Sequence, residues 1–143
     1  PVLLRPGGVT VERIESLLGV RVSRSLPSDV RAPGLLASHY APLARVEIVR
    51  DTTLTARALE LVAHGERVAV LVSSGDDRAA LEAVRGLVLL DLGSSDHAAA
   101  QRLYAALRQA DVDSASVVLA SPPAAHGLGE ALADRLTKAA GPK

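Results

Sequence analysis

From residue 46 onward, short continuous apolar runs alternate with segments in which apolar residues recur every three or four positions. The runs predict strands and the periodic segments predict helices. A run that is apolar at every position, such as Val68–Val72, is typical of a strand with both faces covered. The predicted strands are 46–49, 68–72, 87–90 and 116–120, and the predicted helices are 54–64, 77–84, 96–110 and 128–140. This alternation predicts a Rossmann-like three-layer α/β domain with a small, mostly parallel four-stranded sheet.

Residues 1–44 follow another pattern. The apolar residues 2–4 precede a Pro-Gly-Gly turn and predict a strand. This strand is either an edge strand or the last strand of a sheet in a longer protein from which this chain is cut. We favour the second interpretation. Thr10 and Gly19 are suited to cap a short helix between them. Residues 20–44 form a long connection with several prolines, and connections of this length are often functional or join two domains. We therefore expect three parts, namely a strand and helix in 1–19, an extended interdomain linker in 20–44 and the α/β domain in 45–143.

The composition excludes several classes of function. Hydrophobic residues make up 48% of the 143 residues, but Tyr40 and Tyr104 are the only aromatic ones. Sixteen basic residues balance sixteen acidic ones, so the chain lacks the basic surface expected of a protein that binds nucleic acid directly. There is no cysteine for a disulfide or a thiolate metal site, and no apolar run approaches the roughly 20 residues that span a bilayer. We predict a cytoplasmic protein without contact to a membrane.

The loops that follow the predicted strands are the first candidates for a ligand site, because open α/β sheets bind ligands beyond the carboxyl ends of their strands. The candidates are Ser73, Ser74, Asp91 and Ser121. Backbone N–H groups after Ser73 are placed to meet an anion, but the chain has neither a G-x-G-x-x-G nor a P-loop motif. The alternative is that serine and glycine only cap helices and turn the chain. No histidine pair has metal-binding helical spacing, and no metal site is predicted.

The segment 32–42, Ala-Pro-Gly-Leu-Leu-Ala-Ser-His-Tyr-Ala-Pro, contains the most informative residues outside the α/β domain. Pro33 and Pro42 each fix one backbone angle and favour an extended conformation of the preceding residue. A stiffened loop carrying His39 and Tyr40 indicates contact with another surface. The alternative interpretation is that Tyr40 anchors the linker to the α/β domain with its hydroxyl in water.

Four sequence segments together resemble a known family. They are Leu-Leu-Arg-Pro-Gly at 3–7, Ser-His-Tyr-Ala-Pro at 38–42, Gly-Leu-Gly-Glu-Ala at 127–131 and Asp-Arg-Leu-Thr-Lys-Ala-Ala at 134–140. In this combination and order the chain resembles the two-domain form of L-threonylcarbamoyladenylate synthase. The resemblance covers the last strand and helix of the YrdC-like catalytic domain, the interdomain linker and the C-terminal Rossmann-like domain.

The resemblance implies an enzyme that condenses L-threonine, bicarbonate and ATP, with magnesium, into threonylcarbamoyl-AMP and pyrophosphate, for threonylcarbamoyladenosine in tRNA. It implies that the catalytic residues and the ATP site lie in the absent YrdC-like domain, which is the expected partner, and that this chain alone is inactive and has no cofactor of its own. It assigns Arg5 to nucleotide phosphate and His39 and Tyr40 to a lid over the catalytic mouth. The chain departs from the family pattern at Leu35, Ser38 and Asp134, where methionine, arginine and asparagine are common. The alternative from another class is a stand-alone small-molecule-binding or protein-interaction α/β module.

Overall fold

Four strands and four helices alternate after residue 44 in the computed structural model, which describes residues 1–24, 41–73, 76–124 and 126–141. The strands are β1 (Arg45–Ile48), β2 (Val68–Val72), β3 (Leu87–Asp91) and β4 (Val117–Ala120). The helices are α1 (Val11–Leu18), which precedes the sheet, α2 (Asp51–Ala63), α3 (Arg78–Glu82), α4 (Asp96–Val112) and α5 (Leu128–Ala139). The predicted order and type of these elements is confirmed, with bounds that shift by at most three residues.

The four strands form one sheet in the order β1-β4-β2-β3, and every pair is parallel. β4, the last strand in sequence, lies between β1 and β2 and pairs with both. The chain therefore moves across the sheet in one direction up to β3 and then returns. Such a reversal leaves a crevice at the carboxyl ends of the strands.

Alternate residues of the two central strands supply two separate cores, which makes the domain three-layered. Val68, Val70 and Val72 of β2 pack with Leu54 of α2 and Leu81 of α3 on one face. On the other face Ala69 and Leu71 pack with α4 and α5, and the residues of that core from the two helices are Ala99, Leu103, Ala106, Leu107, Ala110, Leu132, Leu136 and Ala139. Burial of both faces explains why β2 is apolar throughout. The predicted fold class is confirmed.

The N-terminal segment differs from the prediction. Residues 2–4 form no strand; instead Val2 and Ser23 form an isolated parallel bridge, in which Leu3 N–H donates to the Ser23 carbonyl (2.8 Å) and Ser23 N–H to the Pro1 carbonyl (3.0 Å). Helix α1 is capped as predicted: the Thr10 hydroxyl accepts a hydrogen bond from Arg13 N–H, and Gly19 ends the helix at φ +67°. This segment provides too few apolar partners to cover α1.

The apolar side of α1 is uncovered within the described residues. Leu17 is 68% exposed and Leu18 59%, whereas Val11 in the first turn is buried. Leu4, Val9 and Val20 are also exposed. Large exposed apolar patches on soluble proteins commonly mark contact surfaces. We refer to Leu4, Val9, Leu17, Leu18 and Val20 as the N-terminal apolar surface.

The predicted linker is described only at its two ends. Arg24 is held by Glu130 in the first turn of α5, and the N–H groups of Leu43 and Ala44 donate to Asp111 Oδ1 at 2.8 and 3.2 Å. α5 begins where β4 ends, and Asp111 is near the end of α4, just before β4 begins. One end of the linker is therefore fixed beside the carboxyl ends of the strands and the other beside their amino ends. Among the described helices none is both long enough and apolar enough to cross a membrane.

Candidate functional site

A cavity of about 250 Å³ lies at the carboxyl ends of β2, β3 and β4, between the starts of α2 and α4 and the middle of α5. Its described lining residues are Asp51, Leu71, Ser73, Asp76, Leu92, Ser95, Asp96, Ala99, Ala120, Ser121, Pro122, Pro123, Leu132 and Leu136. This is the crevice that the strand order creates, and the place where open α/β sheets bind ligands. Its depth comes from the small residues Ala99 and Ala120, which leave room between the sheet and the two helices.

The cavity has an apolar inner part and polar groups around it. Leu71, Leu92, Leu132 and Leu136 are buried and belong to the core between the sheet and α4 and α5. The polar lining consists of three aspartates and three serines: Asp51, Asp76, Asp96, Ser73, Ser95 and Ser121. The described residues of the lining include no Lys, Arg or His. The cavity is therefore suited to an apolar body with a polar group of neutral or positive charge.

Asp76 occupies the position at which the backbone N–H groups after β2 could otherwise meet an anion. Its Oδ2 accepts hydrogen bonds from Ser73 N–H at 2.5 Å and from Ser73 Oγ at 3.2 Å. Partial burial raises the pKa of Asp76 above its ordinary value, and the neighbouring carboxyl of Asp51 adds to the rise, while both hydrogen bonds from Ser73 act in the opposite direction. The protein thus supplies its own carboxylate to the Ser73 amide. A phosphate at this position would meet negative charge instead of a free donor.

Asp51 and Asp96 are the first residues of α2 and α4. Acidic residues are favoured in the first turn of a helix because they offset the positive end of its dipole. Here the same positions bring both carboxylates to the cavity. The Ser95 hydroxyl caps α4 by accepting a hydrogen bond from Ala98 N–H at 3.2 Å. Both helix starts therefore carry a carboxylate from within the chain, and that of α4 is also capped by a side chain.

Gly129 allows the loop between β4 and α5 to close over this end of the sheet. A Cβ at Gly129 would lie 2.2 Å from the Ala124 carbonyl oxygen and 3.3 Å from Asp96 Oδ2. Gly127, with φ +57° and ψ −132°, adopts a conformation that residues with a side chain rarely reach. Both glycines of this Gly-Leu-Gly segment therefore serve the backbone path and close packing of the loop.

Asp91 lies at the end of β3 but outside the cavity. Its Oδ1 accepts a hydrogen bond from Gly93 N–H at 3.0 Å, and its carboxylate lies 3.5 Å from an Arg78 amino group and 3.6 Å from one of Arg102. The Gly93 hydrogen bond and then the two arginines lower the pKa of this carboxyl. Asp91 holds together α3, α4 and the loop after β3.

The other predicted site residues are distributed as follows. Ser73 and Ser121 line the cavity. Ser74, His39 and Tyr40 lie outside the described residues. Arg5 is exposed, and no hydrogen bond or ion pair joins its side chain to another described residue. The structure therefore brings together two of the four strand-end candidates.

Sequence reasoning missed the three aspartates as cavity residues. Of the adjacent pair Asp76 and Asp77, Asp77 caps α3, because its Oδ1 accepts a hydrogen bond from Ala80 N–H. Asp76, one position earlier, turns back to Ser73 instead. The signal that was available is positional, since Asp51 and Asp96 are each the first helical residue after a strand.

A second cavity, of about 200 Å³, lies where the end of the linker meets α4. The residues around it are Ala41, Pro42, Tyr104, Leu107, Arg108 and Asp111. The guanidinium of Arg135 on α5 lies over the Tyr104 ring at 5.7 Å from its centre. Ala41 and Pro42, which follow Tyr40 in sequence, thus lie next to α4.

The described residues contain no group of three or more His, Asp or Glu side chains that could hold a metal ion. The fit of ATP to the larger cavity is also poor, because the described part of its lining combines carboxylates with no cationic side chain. Adenylyl transfer needs cationic groups around the phosphates. The ATP and magnesium implied by the family resemblance do not fit this part of the chain.

The parallel sheet, its two helical layers and the crevice at the strand ends define a Rossmann-like α/β domain. The family model for the threonylcarbamoyl-AMP synthase C-terminal domain matches residues 9–141. The chain belongs to this family.

Individual relatives agree with this assignment. The chain is 34% identical over 152 residues to the threonylcarbamoyl-AMP synthase of Pyrococcus abyssi and 33% identical over 147 residues to that of Bacillus subtilis. Each match covers 99% of this chain but 42% of the relative. The chain thus spans about two fifths of the length of these relatives.

Solved structures give the same result. The crystal structure of P. abyssi Sua5 complexed with L-threonine matches with a TM-score of 0.74 and 34% identity, over 98% of this chain and 42% of that one. A P. abyssi Sua5 variant in which an adjacent His-Tyr pair is replaced by alanines matches with a TM-score of 0.72 and 33% identity, over 98% of this chain and 41% of that one.

Proposed function

We propose that this chain is the linker and C-terminal domain of a cytoplasmic threonylcarbamoyl-AMP synthase. That enzyme would condense L-threonine, bicarbonate and ATP into threonylcarbamoyl-AMP and pyrophosphate for the modification of tRNA. The family match over residues 9–141, in a chain that spans 42% of its relatives, carries the proposal. ATP, magnesium, L-threonine and bicarbonate would be bound by a preceding YrdC-like catalytic domain. The chain described here would act as a docking and regulatory domain.

The docking role rests on the N-terminal apolar surface. Within the described residues Leu17 and Leu18 are more than half exposed although they lie on the apolar side of a capped helix. The catalytic domain would cover this surface, and residues 1–19 would form part of that domain. Arg5, which has no partner among the described residues, would then face the nucleotide phosphates with its guanidinium.

The lid role is proposed for His39 and Tyr40. They directly precede residues 41–44, which Asp111 fixes to α4 at one edge of the sheet. The structure of a relative with an adjacent His-Tyr pair replaced by alanines has been solved, and His39-Tyr40 is the only such pair in this sequence. Anchoring on the C-terminal side gives the pair a fixed point from which to close over the catalytic mouth. Closure would hold the nucleotide and exclude water.

The test of the lid uses the full-length parent enzyme. We expect the double variant His39→Ala, Tyr40→Ala to lower kcat/KM for ATP at least tenfold, because the contacts of a lid form in the closed complex. Tyr40→Phe separates the ring from its hydroxyl. His64→Ala is the matched control, since His64 ends α2 on the opposite helical layer and its Nδ1 contacts only the Glu60 carbonyl. Unchanged turnover and nucleotide affinity in the double variant would exclude the lid.

Docking is tested separately. Leu17→Gln and Leu18→Gln together should leave this chain folded, because both side chains are exposed in it, but should weaken its association with the separately produced catalytic domain. Leu59→Gln on α2 is the control, because Leu59 is 52% exposed on a helix of the α/β domain. If titration calorimetry gives the same affinity with and without the double change, the N-terminal apolar surface is not the contact.

A further inference from the structure

The cavity at the carboxyl ends of the strands has no role in the proposed function. The proposed lid and docking surface belong to residues 1–44, whereas the described lining of the cavity lies within residues 51–136. Its described lining comes from the segments after all four strands and from the three helices α2, α4 and α5. A concave site with an apolar interior and a few convergent polar groups is the usual form of a small-molecule site.

The inner lining of the cavity limits the ligand. The cavity has a volume of about 250 Å³. The buried side chains of Leu71, Leu92, Leu132 and Leu136 offer little to ordered water, which needs two to four polar partners. The inner part is therefore suited to a short apolar chain. A mononucleotide is too polar for it, and its phosphate would meet three carboxylates in the described lining.

The charge of the cavity determines the polar end of the ligand. Asp51, Asp76 and Asp96 contribute carboxylates, and the described lining has no cationic side chain to offset them. The Ser73 N–H, which would otherwise receive an anion, already donates to Asp76. A bound anion would meet both repulsion and an occupied donor. A bound cation would relieve the repulsion between the neighbouring carboxylates.

We propose that this cavity binds a small organic cation, consisting of a primary ammonium group at the carboxylates and a short aliphatic body among the buried leucines. A bare metal ion suits the site less well, because no group of three or more potential ligands among the described residues is arranged to hold one. The aliphatic body is what the leucine-lined interior selects. The amine distinguishes the ligand from L-threonine, whose carboxylate the cavity would repel.

Three probes with the same six-carbon body test the sign of the charge. They are n-hexylamine, which is protonated at pH 7 as a lysine side chain is, 1-hexanol and hexanoate. Each is titrated into the ¹⁵N-labelled 143-residue chain without any catalytic domain, so the result is independent of the proposed synthase function. We expect n-hexylamine to shift the amide signals of Ser73, Ala99, Ser121 and Leu132 with a Kd on the order of 1 mM. Hexanol should bind at least tenfold more weakly, and hexanoate should cause no shifts there.

Two variants test the residues. Asp76→Asn and Asp51→Asn should each weaken n-hexylamine binding about five- to tenfold and leave hexanol binding unchanged, because they remove charge but little volume. Asp77→Asn is the matched control, since Asp77 lies outside the lining and asparagine can also cap α3. Retained amide spectra of the variants show that they fold. A second check needs no variant. When the wild-type chain is titrated at increasing salt concentration, its affinity for n-hexylamine should fall, whereas its affinity for hexanol should stay the same.

Several results would overturn the proposal. They are binding of hexanoate as strong as that of n-hexylamine, the same shifts with Mg²⁺ or Ca²⁺ alone, and equal amine affinity in Asp76→Asn, Asp51→Asn and Asp77→Asn. Absence of shifts at 20-fold above the expected Kd would do so as well.

Discussion

Arg24 and Glu130, 106 residues apart in sequence, are joined by two hydrogen bonds, from Arg24 Nε to Glu130 Oε1 at 3.0 Å and from Nη2 to Oε2 at 3.3 Å. Arg24 also lies 3.6 Å from Glu12 of α1. A two-point contact fixes the orientation of a guanidinium as well as its position. The pair therefore ties residues 1–24 to the first turn of α5, at the same edge of the sheet as the cavity.

Loss of this contact should loosen the N-terminal segment without unfolding the domain. In Arg24→Gln we expect amides of residues 1–24 to exchange hydrogen a few-fold faster, measured by mass spectrometry, while peptides from β2 and β4 keep their protection. Arg78→Gln is the control, because Arg78 forms a comparable exposed pair with Glu82 within α3. Equal exchange in both variants would show that Arg24 does not hold the segment.

Asp111 fixes the other end of the linker. Asp111→Ala removes the acceptor of both the Leu43 and the Ala44 N–H groups, and we expect a loss of about 1–2 kcal/mol in the free energy of unfolding. Asp111→Asn keeps one oxygen acceptor and should lose less than half of that. Urea unfolding followed by far-ultraviolet circular dichroism measures both. Equal losses would mean that the charge of Asp111, and not its acceptor position, stabilises the chain.

The arrangement of the α/β domain was predictable because its signal is local. Each signal spans only a few residues of sequence: the apolar run Val68–Val72 for a buried strand, the helix caps Asp77 and Ser95, and the change between strand and helix spacing of apolar residues. The failure at residues 2–4 has the opposite cause. A short apolar run becomes a strand only where a neighbouring strand exists, and here a single bridge to Ser23 is available among the described residues.

The cavity was predictable in place but not in chemistry. The rule that ligands bind at the carboxyl ends of strands locates Ser73 and Ser121 correctly in its lining. The rule gives no side-chain direction, so Asp91 was selected although it turns to Arg78 and Arg102. The sequence also does not indicate that Asp76 folds back on Ser73, because this depends on the turn between β2 and α3.

Gly129 should tolerate no side chain. In Gly129→Ala the new Cβ would meet the Ala124 carbonyl oxygen at 2.2 Å, and we expect a net destabilisation of about 1–3 kcal/mol from overpacking, although alanine is the better helix former. Gly8→Ala is the control, since a Cβ there would meet nothing within 4 Å. Thermal unfolding followed by circular dichroism compares the two. A Gly129→Ala protein as stable as the Gly8→Ala protein would contradict the close approach.

The Asp91 carboxyl should stabilise the fold at neutral pH. Its pKa is lowered in the folded state by Gly93 N–H, Arg78 and Arg102. A carboxyl with a lowered folded pKa contributes stability above its unfolded pKa and loses it as the pH falls through the folded value. Asp91→Asn should therefore be less stable than wild type at pH 7, with a difference that shrinks toward pH 2. A difference that stays constant with pH would indicate that Asp91 acts through shape alone.

Asp76 should show the opposite sign. Burial, with Asp51 as the facing titratable group, raises its folded pKa above the unfolded value, so the folded state gives up the proton less readily. Its contribution to stability is greatest below the unfolded pKa and is lost as the pH rises through the folded one. Asp76→Asn, which can still accept the Ser73 hydrogen bond, should therefore equal wild type near pH 3 and exceed it at pH 7 by up to about 0.5 kcal/mol, a small gain because the site is half-exposed. Urea unfolding from pH 3 to pH 7 measures the free energy of unfolding of each variant relative to wild type. This difference should become positive for Asp76→Asn and negative for Asp91→Asn as the pH rises. A loss of stability in Asp76→Asn at pH 7 would contradict the raised pKa.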